Sequence, residues 1–171
     1  DEREELQELL TEDEWKSARA STKNAHFTHP DVVDAHWKMA ERLGFKGGRF
    51  LETSAGIGYY LGQMPAHLAG RTHSSAVELD SVTGEMLKLL YPASNVQVQG
   101  FQEHQAPDGF YDLVASNVPF GDYQVHDPRY NKHQANIHDY FFLKSADLVR
   151  PGGLVMHITS TGTLDKPDSK I

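Results

Sequence analysis

The chain of 171 residues contains no cysteine. Disulfides, cysteine-ligated zinc and thiol nucleophiles are therefore excluded together. No apolar run approaches the length that spans a bilayer. Basic residues are outnumbered: 16 Lys and Arg stand against 24 Asp and Glu, a formal net charge of −8. A chain of that balance is by itself a poor non-specific binder of nucleic acid, because neutralising phosphates takes clustered Lys and Arg. The opening residues, Asp1-Glu2-Arg3-Glu4-Glu5, have neither a signal-peptide core nor a basic transit character, and no initiator methionine precedes them. The expectation is a soluble, cytoplasmic piece of a longer protein with no membrane partner.

What is present suits a globular domain. Hydrophobic residues make up 39% and charged residues 23%, and the length is enough for one α/β domain with a proper core. Residues 2–20 read as two helical pieces broken near Thr11, where Thr11 and Glu14 form a capping-box pattern. We take 1–23 as an acidic helical arm and 24–171 as the main domain. "PDVVDAHWKMAERLGF" places Val33, Trp37, Ala40 and Leu43 at helical spacing behind Pro30, and Gly44 closes the helix. "GGRFLETSAGIGYYLGQM" reads as strand, glycine turn and helix. "SSAVELD", "NVQVQGF", "FYDLVASN" and "LVMHITS" read as further strands, with helices over "SVTGEMLKLLYP" and "NIHDYFFLKSADLVRPGG". In the last helix Ile137, Tyr140, Phe141, Leu143 and Leu148 should face the sheet. Strands alternating with helices predict a Rossmann-like α/β fold, a mostly parallel sheet with helices on both faces.

Two stretches look chemical. The turn "ETSAGIG" lies between a strand and a helix, where glycines let a ligand approach the backbone. About 20 residues beyond it the second strand ends in "VELD", where an acidic residue typically takes ribose hydroxyls. Glu78 is the candidate and Asp80 the lesser one, and a plain tight turn with Asp80 capping the next helix is the alternative. The second stretch is "SNVPF", a polar residue, a proline and an aromatic mounted on the end of an apolar strand. Behind it runs an irregular loop from Asn117 to about Asn136, long enough to be functional. In that loop Arg129, Tyr130, Lys132 and His133 suit either a DNA contact or a solvated surface. Ten histidines invite a metal, but His26 and His29 flank an extended segment and His133 and His138 are not on one helical face, so no metal site is expected.

"FLETSAGIGYYL" resembles the first motif of S-adenosylmethionine-dependent methyltransferases, and more narrowly that of the amino-methylating DNA enzymes. "SNVPF" is similar to their catalytic motif, and "NAHFTHPDVV" to their upstream element. The order of the three suits the adenine-N6 group. The run from Asn117 to Ser145 further resembles methyltransferase modules of large phage- and plasmid-borne proteins that also carry helicase segments. The resemblance implies S-adenosyl-L-methionine as cofactor and transfer of its methyl group to adenine N6 in DNA. DNA would then be the partner, reached largely through regions outside these residues, beside helicase or target-recognition domains. It implies cofactor contacts at Phe27, Thr28 and Pro30, at Glu52, Ser54, Ala55, Gly56 and Gly58, and at Glu78 and Leu79. Phe101 and Gln102 would meet the cofactor's adenine, although either can equally be packing or surface. The catalytic group would be Asn117, Val118, Pro119 and Phe120, with Asn117 also beside the cofactor. Asn117 would offer a side-chain acceptor for the amine, Val118 its backbone carbonyl, Pro119 rigidity and Phe120 a flat face for an extruded base. The family has proline where this chain has Val118, a departure that leaves open a weaker clamp or a catalytically dead relative, and proline restored there is expected to hold or raise the rate. The family's sheet runs beyond the five strands readable here, so truncation after the fifth strand is expected. Alternatives are a cofactor-binding pseudo-methyltransferase, or transfer to a protein glutamine or to RNA. Cytosine-C5 chemistry is disfavoured, since it needs a cysteine nucleophile.

Overall fold

The computed structural model describes residues 2–16, 19 and 28–163. The expected contact at Phe27, and His26 with it, lie outside the described residues. Helix α1 covers Glu2–Leu9, and after a break at Leu10 and Thr11 residues 12–16 are helical again. The break is held by the expected box: Thr11 N–H donates to Glu14 Oε2 at 2.8 Å, and Glu14 N–H donates to Thr11 Oγ1 at 3.3 Å.

Helix α2, Pro30–Arg42, starts with proline at the first turn and His29 as its cap, whose Nδ1 accepts from Asp31 N–H at 3.3 Å. Val33, Trp37 and Ala40 are buried as their spacing requires. Leu43 is not: it is 59% exposed. Gly44 adopts φ 105°, in the left-handed region, and turns the chain so that Phe45 returns to the core in its place, its N–H donating to Ala40 O at 2.9 Å.

Strands β1 (Gly48–Glu52), β2 (Thr72–Glu78), β3 (Asn95–Val98), β4 (Tyr111–Asn117) and β5 (Val149–Ile158) form one sheet in the order β3-β2-β1-β4-β5, every neighbouring pair parallel. The expected helix after the glycine turn is cut short. Helix α3 covers only Tyr59–Gly62, and a separate turn, α4, covers Ala66–Ala69. Gly62 and Pro65 interrupt what the apolar pattern would have continued. Helix α5 is Ser81–Leu90 and helix α6 is Ile137–Leu148.

Alternation along the strands divides the core between two faces. Phe50, Leu113 and Ala115 point to the α2 side, where they pack with Trp37, Tyr60 and Met156. Leu51, Val114 and Val118 point to the other, against Ile137, Tyr140, Phe141 and Leu148 of α6. Leu143 is only half-buried. β4 lies between β1 and β5 and is buried from Leu113 through Ser116, as its unbroken apolar run predicts for an inner parallel strand. Because the connections reverse direction between β1 and β4, a crevice opens at the carboxyl ends of these two strands, where open parallel sheets bind ligands. No described helix is long and apolar enough to cross a membrane.

Candidate active site at the carboxyl edge

The turn after β1 needs glycine twice, for different reasons. Gly58 has φ 81°, and a side chain there would meet the Tyr91 ring at 2.5 Å and Leu87 at 2.6 Å. Gly56 has φ 55°, yet nothing lies within 4 Å of where its Cβ would be. That backbone therefore faces open space, as a ligand-cradling turn requires. Glu78, at the end of β2, reaches across to this turn. Its Oε2 accepts from Gly56 N–H at 2.6 Å and its Oε1 from Asp80 N–H at 2.9 Å. Burial raises the Glu78 pKa above the ordinary carboxylate value, and those two backbone bonds only partly counter it. Each oxygen keeps acceptor capacity beyond its present bond. An open glycine backbone beside a carboxylate fits a ligand carrying ribose hydroxyls. Asp80 is used otherwise: its Oδ1 caps α5 by accepting from Thr83 N–H at 2.7 Å. Leu79, beside Glu78, is 75% exposed at the same edge.

Glu52 lies beneath the turn, 2% exposed. Burial lifts its pKa well above the ordinary value against the hydrogen bonds from the Tyr60 and Leu61 backbone, and the nearby Glu78 charge pushes the same way. Its Oε1 accepts from Tyr60 N–H at 3.4 Å, so it braces the start of α3. Ala55 is buried, and its N–H donates to Val77 O at 2.9 Å, stitching the turn to β2.

The end of β4 is tied to the same turn by two serines. Ser54 N–H donates to Ser116 Oγ at 3.1 Å, the two hydroxyls are 2.8 Å apart, and Ser54 Oγ donates to the backbone carbonyl of Asn117 at 2.8 Å. The ends of β1, β2 and β4 are thus brought together through Ser54, Gly56, Glu78 and Asn117. Ser116, fully buried, entered the sequence reading only as the first letter of "SNVPF", with no role of its own. Asn117 is half-buried, as are Pro119 and Phe120. Val118 is 1% exposed, and its N–H donates to Ile158 O at 3.1 Å. The residue therefore continues the β4–β5 ladder one step past the strand, a bond proline would forfeit. Proline at this position would therefore cost the sheet a bond, against which any stiffening of the clamp must be weighed.

The flanking predictions divide. Thr28 is half-buried and Pro30 exposed at the start of α2. Phe101 is 3% exposed and packs on Phe141, with ring centroids 4.8 Å apart, and on His104. Its faces are occupied by the core, so packing, the alternative weighed for it, is its place here. Gln102 is half-buried on a short 3₁₀ turn, Phe101–Glu103, and its amide folds over Gly100. Tyr130 is buried, while Arg129 stays exposed and is ion-paired at the surface. Arg129 forks onto Asp108 at 2.7 and 2.8 Å and reaches Asp147 at 2.7 Å, while the Tyr130 hydroxyl donates to Asp147 at 2.9 Å. Lys132 is exposed. A cavity of about 300 Å³ opens within this loop, between Gln124, His126, Asn131 and Gln134 over Tyr130 and Tyr140, and not at the glycine turn. Among the described residues no cluster of His, Asp and Glu is arranged to hold a metal ion.

No protein-family model matches the chain. The architecture is shared with solved S-adenosylmethionine-dependent methyltransferases. One from Listeria monocytogenes, itself of unestablished function, superposes with a TM-score of 0.66 at 16% identity, over 82% of this chain and 48% of that one. The methyltransferase subunit of a type I restriction-modification system from Streptococcus thermophilus superposes with a TM-score of 0.64 at 17% identity, over 85% of this chain and 36% of that one. The chain thus has the Rossmann-like methyltransferase fold. By sequence it is similar to the defense against restriction protein B of Escherichia phage P1, 29% identical over 134 residues, which are 76% of this chain and 6% of that protein. The chain spans less than half the length of each of these relatives.

Proposed function

We propose that this chain binds S-adenosyl-L-methionine at the carboxyl edge and uses Asn117 to Phe120 to present the N6 amine of an adenine in DNA for methylation. The observation that carries the reading is the joining of three strand ends: Gly56 to Glu78 at 2.6 Å and Ser54 to Asn117 at 2.8 Å. They unite a ribose-type site and an acceptor-type site in one crevice. The restriction-modification methyltransferase and the phage P1 protein support DNA as the class of substrate.

When bound, the cofactor supplies an electrophilic methyl group on a sulfonium. Glu78 would accept from its ribose hydroxyls and the Gly56 backbone would lie against it. The chain's task on the other side is orientation. An exocyclic amine is a weak nucleophile because its lone pair is delocalised into the ring. Asn117 Oδ1 and the Val118 carbonyl accept its two hydrogens and turn the lone pair toward the methyl. Loss of its methyl would leave the donor a neutral thioether, and the surplus proton of the methylated amine would go to water, because the two amide carbonyls orient the hydrogens but are too weakly basic to carry a proton. Phe120 stacks on the base. No covalent adduct with the enzyme is needed.

The test is incubation with labelled S-adenosylmethionine and adenine-containing DNA, followed by digestion to nucleosides. Label in N6-methyldeoxyadenosine is expected. Asn117→Ala should remove it while binding of S-adenosylhomocysteine stays within about threefold, since the acceptor bonds act mainly in the transition state. A second reading, a cofactor-binding module that transfers nothing, draws on the net charge of −8 and on Val118. Calorimetric binding without label in DNA, RNA or protein would favour it. Label in RNA or in a protein glutamine would redirect the acceptor instead.

A further inference from the structure

The loop between the proposed clamp and α6 is fastened to α6 by side chains at two places, the Tyr130 bond to Asp147 and a buried, charged contact at Asp127. Asp127 is 7% exposed and Lys144 of α6 is 6% exposed, and Lys144 Nζ lies 3.1 Å from Asp127 Oδ2. The same oxygen accepts from the Tyr140 hydroxyl at 2.7 Å. The other end of Asp127 shapes the loop. Its Oδ1 accepts from Arg129 N–H at 3.1 Å, its carbonyl accepts from the Tyr130 and Asn131 N–H groups at 2.9 Å each, and its own N–H donates to Asn131 Oδ1 at 2.9 Å. Lys144 reaches in a third direction. It donates to the backbone carbonyl of Gln102 at 3.2 Å and lies 5.1 Å from the centre of the Phe101 ring. One ammonium thus touches α6, the loop that begins at the clamp, and the turn after β3.

A charge this deep is costly without full pairing. Packing alone would be better served by an apolar residue, since the neighbours Phe101, Tyr140 and Phe141 are aromatic. The lysine spends two donors here, on acceptors in segments that no strand pairing holds together. The Asp127 carboxyl shares the arrangement. Burial alone would raise its pKa, but the hydrogen bonds from Tyr140 and Lys144 outweigh that and hold it below the ordinary value, while burial pulls the Lys144 ammonium below its own ordinary value against the bond to Asp127.

We infer that Asp127 and Lys144 are positioning residues that lock the loop 118–136 to the turn 100–104, so that the acceptor clamp and the side of the crevice carrying Gln102 move as one unit. The inference rests on the proposed transfer reaction for its purpose, but its geometry is tested without that reaction. Neither residue touches the reacting atoms. Both act through the segments they join.

Hydrogen exchange on the whole chain is the direct measurement. Asp127→Asn and Lys144→Met should each speed exchange in 118–136 by about tenfold or more, while amides of β1, β2 and α2 keep their protection. Lys144→Met should also release 100–104, which Asp127→Asn should leave closer to its original rate. The decisive variant is the double replacement Asp127→Asn/Lys144→Met. It removes the unpaired buried charge and should recover much of the lost thermal stability, yet leave the loop released. Tyr140→Phe takes away a single bond to Asp127 and gives a mild, foldable version of the same loosening. If the double variant restores loop protection together with stability, or if protection falls evenly across the sheet in every variant, the pair is a structural ion pair and the inference is overturned. Failure of the proposed reaction is read separately, in the unaltered chain, as absence of label in N6-methyldeoxyadenosine.

Discussion

Val118→Pro restores the residue the resembled motif carries, and the structure says it should harm the protein. Val118 N–H donates to Ile158 O at 3.1 Å. Proline deletes that donor and puts its Cδ where the hydrogen was, pushing the end of β5 away. Loss of one such bond costs about 1 kcal/mol, and an orphaned carbonyl adds up to about 1 more where water reaches it poorly. Ile158 is half-exposed on an edge strand of the described sheet, so the second cost is small. Asn117 is already extended, the conformation a following proline demands, so no strain arises there. The expected net loss is about 1–2 kcal/mol of unfolding free energy. Val118→Ala is the control: it keeps the N–H but removes two methyl groups from a site 1% exposed, for about 1.5–3 kcal/mol. Urea denaturation measures both. In any chain that transfers methyl groups, Val118→Pro should lower the rate through the displaced β5 end. Wild-type stability in the proline variant, or a higher rate, would show that the Val118 bond contributes nothing and refute this reasoning.

Glu78→Gln should weaken S-adenosylhomocysteine binding by about 1–3 kcal/mol, because a charged acceptor is lost from both Gly56 and the ligand; unchanged calorimetric affinity would withdraw Glu78 from the site. Its raised pKa sets the direction with pH: the unaltered chain should hold full affinity above the folded pKa of Glu78 and lose it as pH falls through that value, while the glutamine variant should be flat there. Ser54→Ala should cost about 0.5–1.5 kcal/mol by cutting the link to Ser116 and the Asn117 carbonyl, and unaltered denaturation would mean the link carries no energy. Glu52 has a folded pKa raised by burial, so its stabilising contribution is full below the unfolded value near 4.3 and declines by up to about 1.4 kcal/mol per pH unit as pH rises toward the folded one. Glu52→Gln should flatten that decline and leave the protein more stable than wild type at pH 8 by thermal unfolding; an identical pH profile would mean Glu52 ionises freely.

Strand β4 was legible because an inner parallel strand buried on both faces must read as an apolar run, and "LVA" in β4 does. Burial of Val33, Trp37 and Ala40 followed from period alone. Leu43 broke the pattern because a left-handed Gly44 changes direction within one residue, which periodicity does not register. The short α3 escaped because Gly62 and Pro65 act locally against a helical apolar pattern. The glycine turn and Glu78 were paired on spacing alone, and the fold brings Gly56 N–H to 2.6 Å from the Glu78 carboxylate. The loop was not legible. Arg129 and Tyr130 are the residue types of a DNA contact, and only three-dimensional partners reveal Tyr130 as a buried tie to Asp147 and Arg129 as a surface fork onto Asp108 and Asp147. One sequence signal did exist: Lys144 falls one turn after Tyr140 on the face of α6 that is otherwise apolar, and a cation there requires a buried acceptor.

That lysine also bears on why the departure at Val118 is tolerable. A proline in the clamp stiffens the chain covalently, at the cost of an N–H that a sheet can use. Here the N–H is kept in the ladder to Ile158, the Val118 side chain is sunk in the α6 core cluster, and the segment beyond is fastened to α6 through Asp127. Stiffness in the clamp is then supplied by three separate restraints: one backbone bond, one buried side chain and one ion pair. Each is weaker than a ring closure, and each lies on a different element, β5, the core and α6. A clamp built this way depends on the fold around it. Its geometry should therefore follow the state of the β5 edge and of the loop, so that a change at that edge should be felt at Asn117.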